Sequence, residues 1–208
     1  SPLVEGRLTG CVDNRIHFYR INQQKIPSIC QDLIPEKITR VEDYEGIQQE
    51  IYRELLQENA AVLCREWVNA RGVIVRFSRR CLEIKAIDEQ ECIHSDMAVI
   101  AFVLSLLRNR DLHLEGNEQM LRELTETAMR DGTEKLRPEL RDLYDAAWKS
   151  ATDEEKEYLP LIEMRIEKGS IGEVMARRVR RTGDIYALLH DAGECLKLNH
   201  PLLEREEG

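Results

Sequence analysis

Two short runs of alternating apolar and polar residues, 73–77 and 81–86, flank the triplet Ser78-Arg79-Arg80. Because successive side chains of a strand point to opposite faces, each run has one apolar face. The pattern predicts a β-hairpin over residues 70–88. The apolar face, which we expect to lie on a core, consists of Val73, Val75, Phe77, Leu82, Ile84 and Ala86. The opposite face carries Arg76, Glu83 and Lys85.

Helical spacing of apolar residues dominates the rest of the chain. It predicts a helix over residues 41–56 and another over residues 96–109. The second contains MAVIAFVLSLL, which is apolar almost all round, so we expect it to be buried and to pack on the apolar face of the hairpin. Ser170 and Glu173 form a capping-box pattern. Further helices are predicted over residues 119–130, 138–149, 153–168, 171–181 and 184–192, followed by a frayed tail.

These elements predict a predominantly helical α+β fold with a small antiparallel β-hairpin. We expect the hairpin to be part of a larger curved sheet in a longer parent protein. The predicted organisation is residues 1–110, which contain the hairpin and the buried helix, followed by a helical region over residues 111–208.

Composition and charge narrow the class of protein. The 208 residues have a formal net charge of −9 and a pI near 5.2, which argues against a general nucleic-acid binder. The absence of any run of about 20 apolar residues argues against a membrane span. The six cysteines form no CxxC pair, as expected for reduced thiols of a cytoplasmic protein. The start at Ser1-Pro2-Leu3 shows neither a signal peptide nor an initiating methionine, so we expect a piece of a longer polypeptide.

The charged face of the predicted hairpin is the best candidate for chemistry. Two cations and a carboxylate on one sheet surface could hold phosphates and a metal ion. The ordinary alternative is a solvated face of an antiparallel sheet. Magnesium also needs several oxygen ligands, and one strand glutamate does not make a site. His94 beside Asp96 could be a general base, but a helix cap explains this pair equally well.

Two segments resemble the glutamate–cysteine ligase and carboxylate–amine ligase superfamily. ARGVIVRF followed by RCLEIKAIDEQE is similar to that superfamily's late strand pair, in which a glutamate on the second strand is followed by an arginine and an aspartate. SPLVEGRLTG, with Asp13 and Arg15 after it, resembles the loop that follows a central strand. The resemblance covers about residues 1–110, in the order of the C-terminal half of such an enzyme.

The resemblance implies a mechanism and roles for five residues. Magnesium and ATP convert the γ-carboxylate of glutamate to an acyl phosphate, which an amine such as cysteine attacks, as in glutathione biosynthesis. Glu83 matches the glutamate that coordinates Mg2+. Arg76 and Lys85 match cations that face ATP phosphates or substrate, although the superfamily usually has arginine where Lys85 stands, so a planar fork is lost. Arg15 and Arg71 are further candidates for carboxylate or cofactor contacts.

The resemblance also leaves the chain incomplete as a catalyst. The superfamily's other metal-binding acids lie earlier in the polypeptide, and nothing in residues 1–208 resembles them. We therefore expect a C-terminal portion that is inactive alone, has the N-terminal remainder of its parent as a partner, and is able to self-associate as a homo-oligomer. The alternative is a non-catalytic helical interaction or regulatory module on the same scaffold.

Overall fold

The computed structural model describes residues 1–22, 24–31, 33–112 and 117–205. Residues 204 and 205 are described by their backbone alone. The chain divides into two compact units. One, here called the hairpin unit, is Arg15–Asp88. The other, here called the helical unit, is Ser1–Asn14 with Glu89–Gly208. The predicted organisation into residues 1–110 and 111–208 stays a prediction.

Helices account for most of the described residues, and the strands form two small antiparallel sheets, as the sequence predicts. The strands are β1 (Leu3–Val4), β2 (Arg7–Leu8), β3 (Val73–Arg76) and β4 (Cys81–Ile84). The helices are α1 (Asn14–Asn22), α2 (Val41–Gln57), α3 (Ile93–Arg108), α4 (Glu118–Asp131), α5 (Arg137–Ser150), α6 (Asp153–Lys156), α7 (Leu159–Lys168), α8 (Ile171–Thr182), α9 (Ile185–Leu198) and α10 (Leu202–Arg205).

The predicted hairpin is confirmed. β3 and β4 pair antiparallel, with Ile74 opposite Glu83 and Arg76 opposite Cys81. A 3-10 turn over Phe77–Arg79 joins them, and Arg80 completes the reversal with a left-handed φ of 54°. The outer edge of β3 is closed by α2, because the Tyr44 hydroxyl lies 3.1 Å from both the backbone nitrogen and the carbonyl oxygen of Val75.

The predicted orientation of the hairpin is wrong. Ile74 is 1% exposed and Arg76 9%, whereas Leu82 is 62% exposed and Ile84 37%. The face with the charged residues is therefore the buried one, and much of the apolar face is open. The physical reason is that the buried cations have partners inside the hairpin unit, so their burial leaves no unpaired charge.

α2 and α3 form where the periodicity predicts them. α2 buries Ile51 and Leu55, which are four residues apart on one side of the helix. α3 packs against α5 and α7 through small residues, of which Ala98 and Ala101 belong to an apolar core with Leu159.

The prediction that α3 is buried all round is wrong. Small residues let its backbone approach the core closely on one side, so the large side chains project from the other. Those large exposed residues are Ile93, Met97, Ile100, Leu104 and Leu107.

The helices after residue 117 confirm the predicted series, with two corrections. The segment 153–168 is two helices rather than one, and Pro160, which lacks a backbone N–H, lies in the first turn of the second helix. The end of the chain is not frayed up to residue 205. α9 continues to Leu198, beyond its predicted end at residue 192, and Leu202 and Leu203 are buried in a core with Leu188. The capping box of Ser170 and Glu173 is confirmed. Within the described ranges, no helix is long and apolar enough to cross a membrane.

Candidate functional site

All five candidate residues lie in the hairpin unit, and strand parity places three of them on the buried face of β3 and β4. There the Arg76 guanidinium forms an ion pair with the Glu83 carboxylate. The arginine side chain is 11% exposed and the glutamate 39%, so Glu83 is the more accessible partner. The hydrogen bond to Glu83 raises the pKa of Arg76 above its ordinary value. Arg76 and Glu83 therefore form an ion pair in which both side chains are charged and oriented toward each other.

A second carboxylate, from Glu66, holds the other side of the Arg76 guanidinium. Glu66 Oε2 lies 3.4 Å from Arg76 Nε. The same carboxylate accepts hydrogen bonds from the backbone nitrogen of Ser78 at 2.9 Å and from its hydroxyl at 2.7 Å. These hydrogen bonds from Ser78 lower the pKa of Glu66. The orientation of Arg76 is therefore fixed by two acids, one of them supplied by the loop before the hairpin.

The Lys85 ammonium has neutral partners. Its Nζ donates to the carbonyl oxygens of Trp67 and Asn69, each at 2.7 Å. Burial lowers the pKa of Lys85, and the charge of Glu83 acts in the opposite direction. Two carbonyls orient the ammonium without cancelling its charge, so Lys85 is placed as a cation that can attract an anion.

Arg71 is almost completely buried and binds a carboxylate of its own chain. Its Nε and one terminal nitrogen each lie 2.6 Å from an oxygen of Glu36. Its other terminal nitrogen donates to the Ser28 carbonyl at 2.8 Å. Burial acts to raise the pKa of Glu36, but the hydrogen bond and the charge of Arg71, together with a backbone hydrogen bond, outweigh it, and the pKa lies below its ordinary value. Arg71 thus ties the loop around residue 36 to the start of the hairpin.

Asn69 connects Arg71 to the rest of the site. This fully buried side chain accepts a hydrogen bond from Arg71 at 3.3 Å and donates to the Tyr44 hydroxyl at 3.3 Å. Its backbone carbonyl is one of the two that hold Lys85. A continuous polar network therefore runs from Glu36 to the hairpin, and it gives the charged face a rigid support.

Arg15 contacts the segment that follows β4, where Ala86 and Asp88 lie just after Lys85 in the sequence. Its Nε forms an ion pair with Asp88 at 2.8 Å, and a terminal nitrogen donates to the Ala86 carbonyl. The Arg15 side chain is 28% exposed and that of Asp88 57%, but Arg15 Nε is itself buried, so solvent reaches this pair from the side of Asp88. Of the sequence-predicted residues, Arg76 and Glu83 are in direct contact, Lys85 is linked to Arg71 through Asn69, and Arg15 is held separately.

Sequence reasoning missed the residues that hold these cations in place. Glu36 and Asn69 lie in loops and Glu66 begins a single 3-10 turn, Glu66–Val68, so no strand or helix period marks a shared face. The sequence shows Glu66 as an acid shortly before the hairpin, but this position does not indicate which cation Glu66 binds.

The described residues do not form a complete metal site. Across the ranges that the structure describes, no three histidine, cysteine, aspartate or glutamate side chains come together in a group that could hold a metal ion. Glu83 supplies one carboxylate, which is engaged by Arg76. This donor set therefore does not fit a Mg2+ ion held by the described residues alone.

Comparisons with known proteins agree with the resemblance seen in the two segments. The sequence model of glutamate-cysteine ligase family 2 (GCS2) matches residues 1–192. An uncharacterized protein from Archaeoglobus fulgidus is 46% identical over 205 residues, which cover 98% of this chain and 55% of that protein. The chain thus spans about half the length of this relative. No solved structure matches the chain significantly.

Proposed function

Since the chain belongs to glutamate-cysteine ligase family 2, we propose that it is the C-terminal portion of an ATP-dependent carboxylate–amine ligase and that it is inactive alone. In this reaction an oxygen of the glutamate γ-carboxylate attacks the terminal phosphorus of ATP, and the bond from that phosphorus to ADP breaks. The nitrogen of an amine such as cysteine then attacks the acyl carbon. The bond from that carbon to phosphate breaks, and the amine nitrogen loses a proton.

The charged face of the hairpin carries this proposal. Phosphoryl transfer spreads negative charge over the phosphoryl oxygens, and catalysis depends on cations that are already in position. Arg76 is fixed by two carboxylates and Lys85 by two carbonyls. In the proposed site these two side chains bind and orient the phosphates, while Arg15 contacts a substrate carboxylate. Arg71 supports them through Asn69.

Mg2+ neutralises polyphosphate charge in reactions of this class. Glu83 would supply one oxygen ligand, and the remaining acidic ligands would come from the part of the enzyme outside this chain. Because the residues that the structure describes do not make a complete site, the proposed roles of Arg76 and Lys85 do not depend on a metal ion bound by these residues.

A second candidate function is a non-catalytic interaction or regulatory module on the ligase scaffold. The observation that favours it is the internal pairing of the cations: Arg71, Arg76 and Arg15 each have a carboxylate partner in the same unit. Lysine at position 85 points in the same direction, since it lacks the fork that binds phosphate oxygens in pairs.

A ligase assay on the longer protein that contains this chain separates the two candidates. The reaction is followed as ADP release that requires both glutamate and an amine. We expect Glu83→Gln to lower kcat by about 10²- to 10³-fold, as the loss of one preorganised electrostatic contact does elsewhere. Glu50→Gln, an exposed carboxylate on α2, is the matched control and should leave kcat unchanged.

The outcomes divide clearly. Substrate-dependent ADP release that is lost in Glu83→Gln and kept in Glu50→Gln supports the ligase. Absence of ADP release with every amine tried assigns the chain to the non-catalytic class. Amide formation by the 208 residues alone would show that the proposed division of the enzyme is wrong.

A further inference from the structure

α3 presents five large apolar side chains along one face. Their exposed fractions are 62% for Ile93, 37% for Met97, 48% for Ile100, 46% for Leu104 and 70% for Leu107. Their spacing alternates between four and three residues, which places them in one line along a helix. We call these five residues the α3 stripe.

The α3 stripe has the character of an interface rather than of a solvated surface. Residues 97–107 contain no charged side chain. The opposite side of the helix already packs through small residues, including Ser95, Ala98 and Ser105. Soluble proteins rarely expose contiguous apolar patches of this kind unless a partner covers them. The partner surface must itself be apolar and neutral.

We propose that the α3 stripe is a docking surface for another part of the longer protein. We call that part the complementary segment and define it as the part that corresponds to the unmatched portion of the Archaeoglobus fulgidus relative. The match covers 55% of that relative, so 45% of its length has no counterpart in this chain. The inference depends on family membership and on the length of the relative. It does not depend on ligase activity.

The size of the α3 stripe favours this occupant over a second copy of the chain. A helix of 16 residues is about 24 Å long. One line of side chains along it supplies much less than the ~800 Å² per partner of a standard stable interface. A segment joined through the same polypeptide needs no such area, because its effective concentration is of millimolar order.

The test compares thiol labelling of the α3 stripe in the longer protein and in the 208-residue chain, followed peptide by peptide by mass spectrometry. The labelled variant is Leu104→Cys, at a 46% exposed leucine of the stripe. The control is Leu189→Cys, at a 55% exposed leucine on α9 of the same unit.

We expect Leu104→Cys to be labelled at least tenfold more slowly in the longer protein than in the 208-residue chain, and Leu189→Cys to be labelled equally fast in both. A cooperative thermal transition of each variant shows that it is folded. Equal labelling of Leu104→Cys in the two proteins overturns the proposal. Slow labelling of Leu104→Cys in the 208-residue chain that becomes fast on dilution would assign the α3 stripe to a second copy. Protection of Leu104→Cys in a longer protein without ligase activity would overturn the proposed function and leave this surface in place.

Discussion

Replacing Ile74 with alanine should destabilise the hairpin unit far more than replacing Leu82. Ile74 is 1% exposed, and truncation of such a side chain costs about 3 kcal/mol, since it loses the transfer free energy and leaves a cavity. Leu82 is 62% exposed, so little more than a third of its surface is removed from water. Complete burial of a leucine side chain stabilises a protein by about 1.5–3 kcal/mol, so Leu82→Ala should lower the free energy of unfolding by about 0.5–1 kcal/mol.

The assay is urea denaturation followed by tryptophan fluorescence in a Trp148→Phe background. Trp67 then reports on the hairpin unit alone, which matters because two units can unfold separately. The free energies of unfolding of Ile74→Ala and Leu82→Ala are compared at equal denaturant slope. Equal costs, or a greater cost for Leu82→Ala, would refute the assignment of the charged face to the interior.

Three further perturbations follow from the hydrogen-bond networks. Arg71→Met should lower the free energy of unfolding by about 3 kcal/mol, measured by urea denaturation, because it leaves buried acceptors unpaired; a cost below about 1 kcal/mol would contradict this. Glu173→Ala should lower the free energy of unfolding by about 3 kcal/mol and Glu173→Gln by about 1 kcal/mol. The reason is that one oxygen of this carboxylate accepts hydrogen bonds from the backbone and hydroxyl groups of Thr133 and Ser170. Equal losses of stability in the two variants would show that a charged acceptor is not required. Hydrogen bonds from Arg108, from the Thr152 backbone and from Ser105 lower the pKa of Glu155 from 4.5 to about 2, with that from Arg108 the largest cause. The stabilising contribution of Glu155 is therefore present above pH 4.5 and is lost as the pH falls toward 2. The melting temperatures of wild type and Glu155→Gln should converge over that range, and a constant difference would contradict the assignment.

The sequence predicts the hairpin, its turn and the shared face of Arg76 and Glu83, because strand parity depends on residues close along the chain. It does not predict which face is buried. That outcome depends on Glu66 and on the carbonyls of Trp67 and Asn69, which lie in a single 3-10 turn or directly after it and have no periodic signal. Burial of a cation is acceptable only where such partners exist, and the partners are a property of the folded unit.

The same limit applies to the helices and to the remaining candidate residues. The composition of α3 predicts a helix that needs burial, but small residues on one side can bury that side alone and leave Leu104 and Leu107 outside. The sequence singles out Arg71 as a candidate for a carboxylate contact, and the structure supplies the carboxylate of Glu36. Neither the distance along the chain nor the local pattern specifies that pair.

The central claim is that the charged face of the hairpin is part of a nucleotide site. The most direct test is calorimetric titration of magnesium-ATP into the longer protein that we propose contains this chain, beside its Glu83→Gln variant and the Glu50→Gln control. The ligase proposal predicts binding that weakens sharply in Glu83→Gln and is unchanged in Glu50→Gln. Equal binding by all three proteins, or binding by none, would contradict it and leave Arg76, Glu83 and Lys85 as a structural network of the hairpin unit.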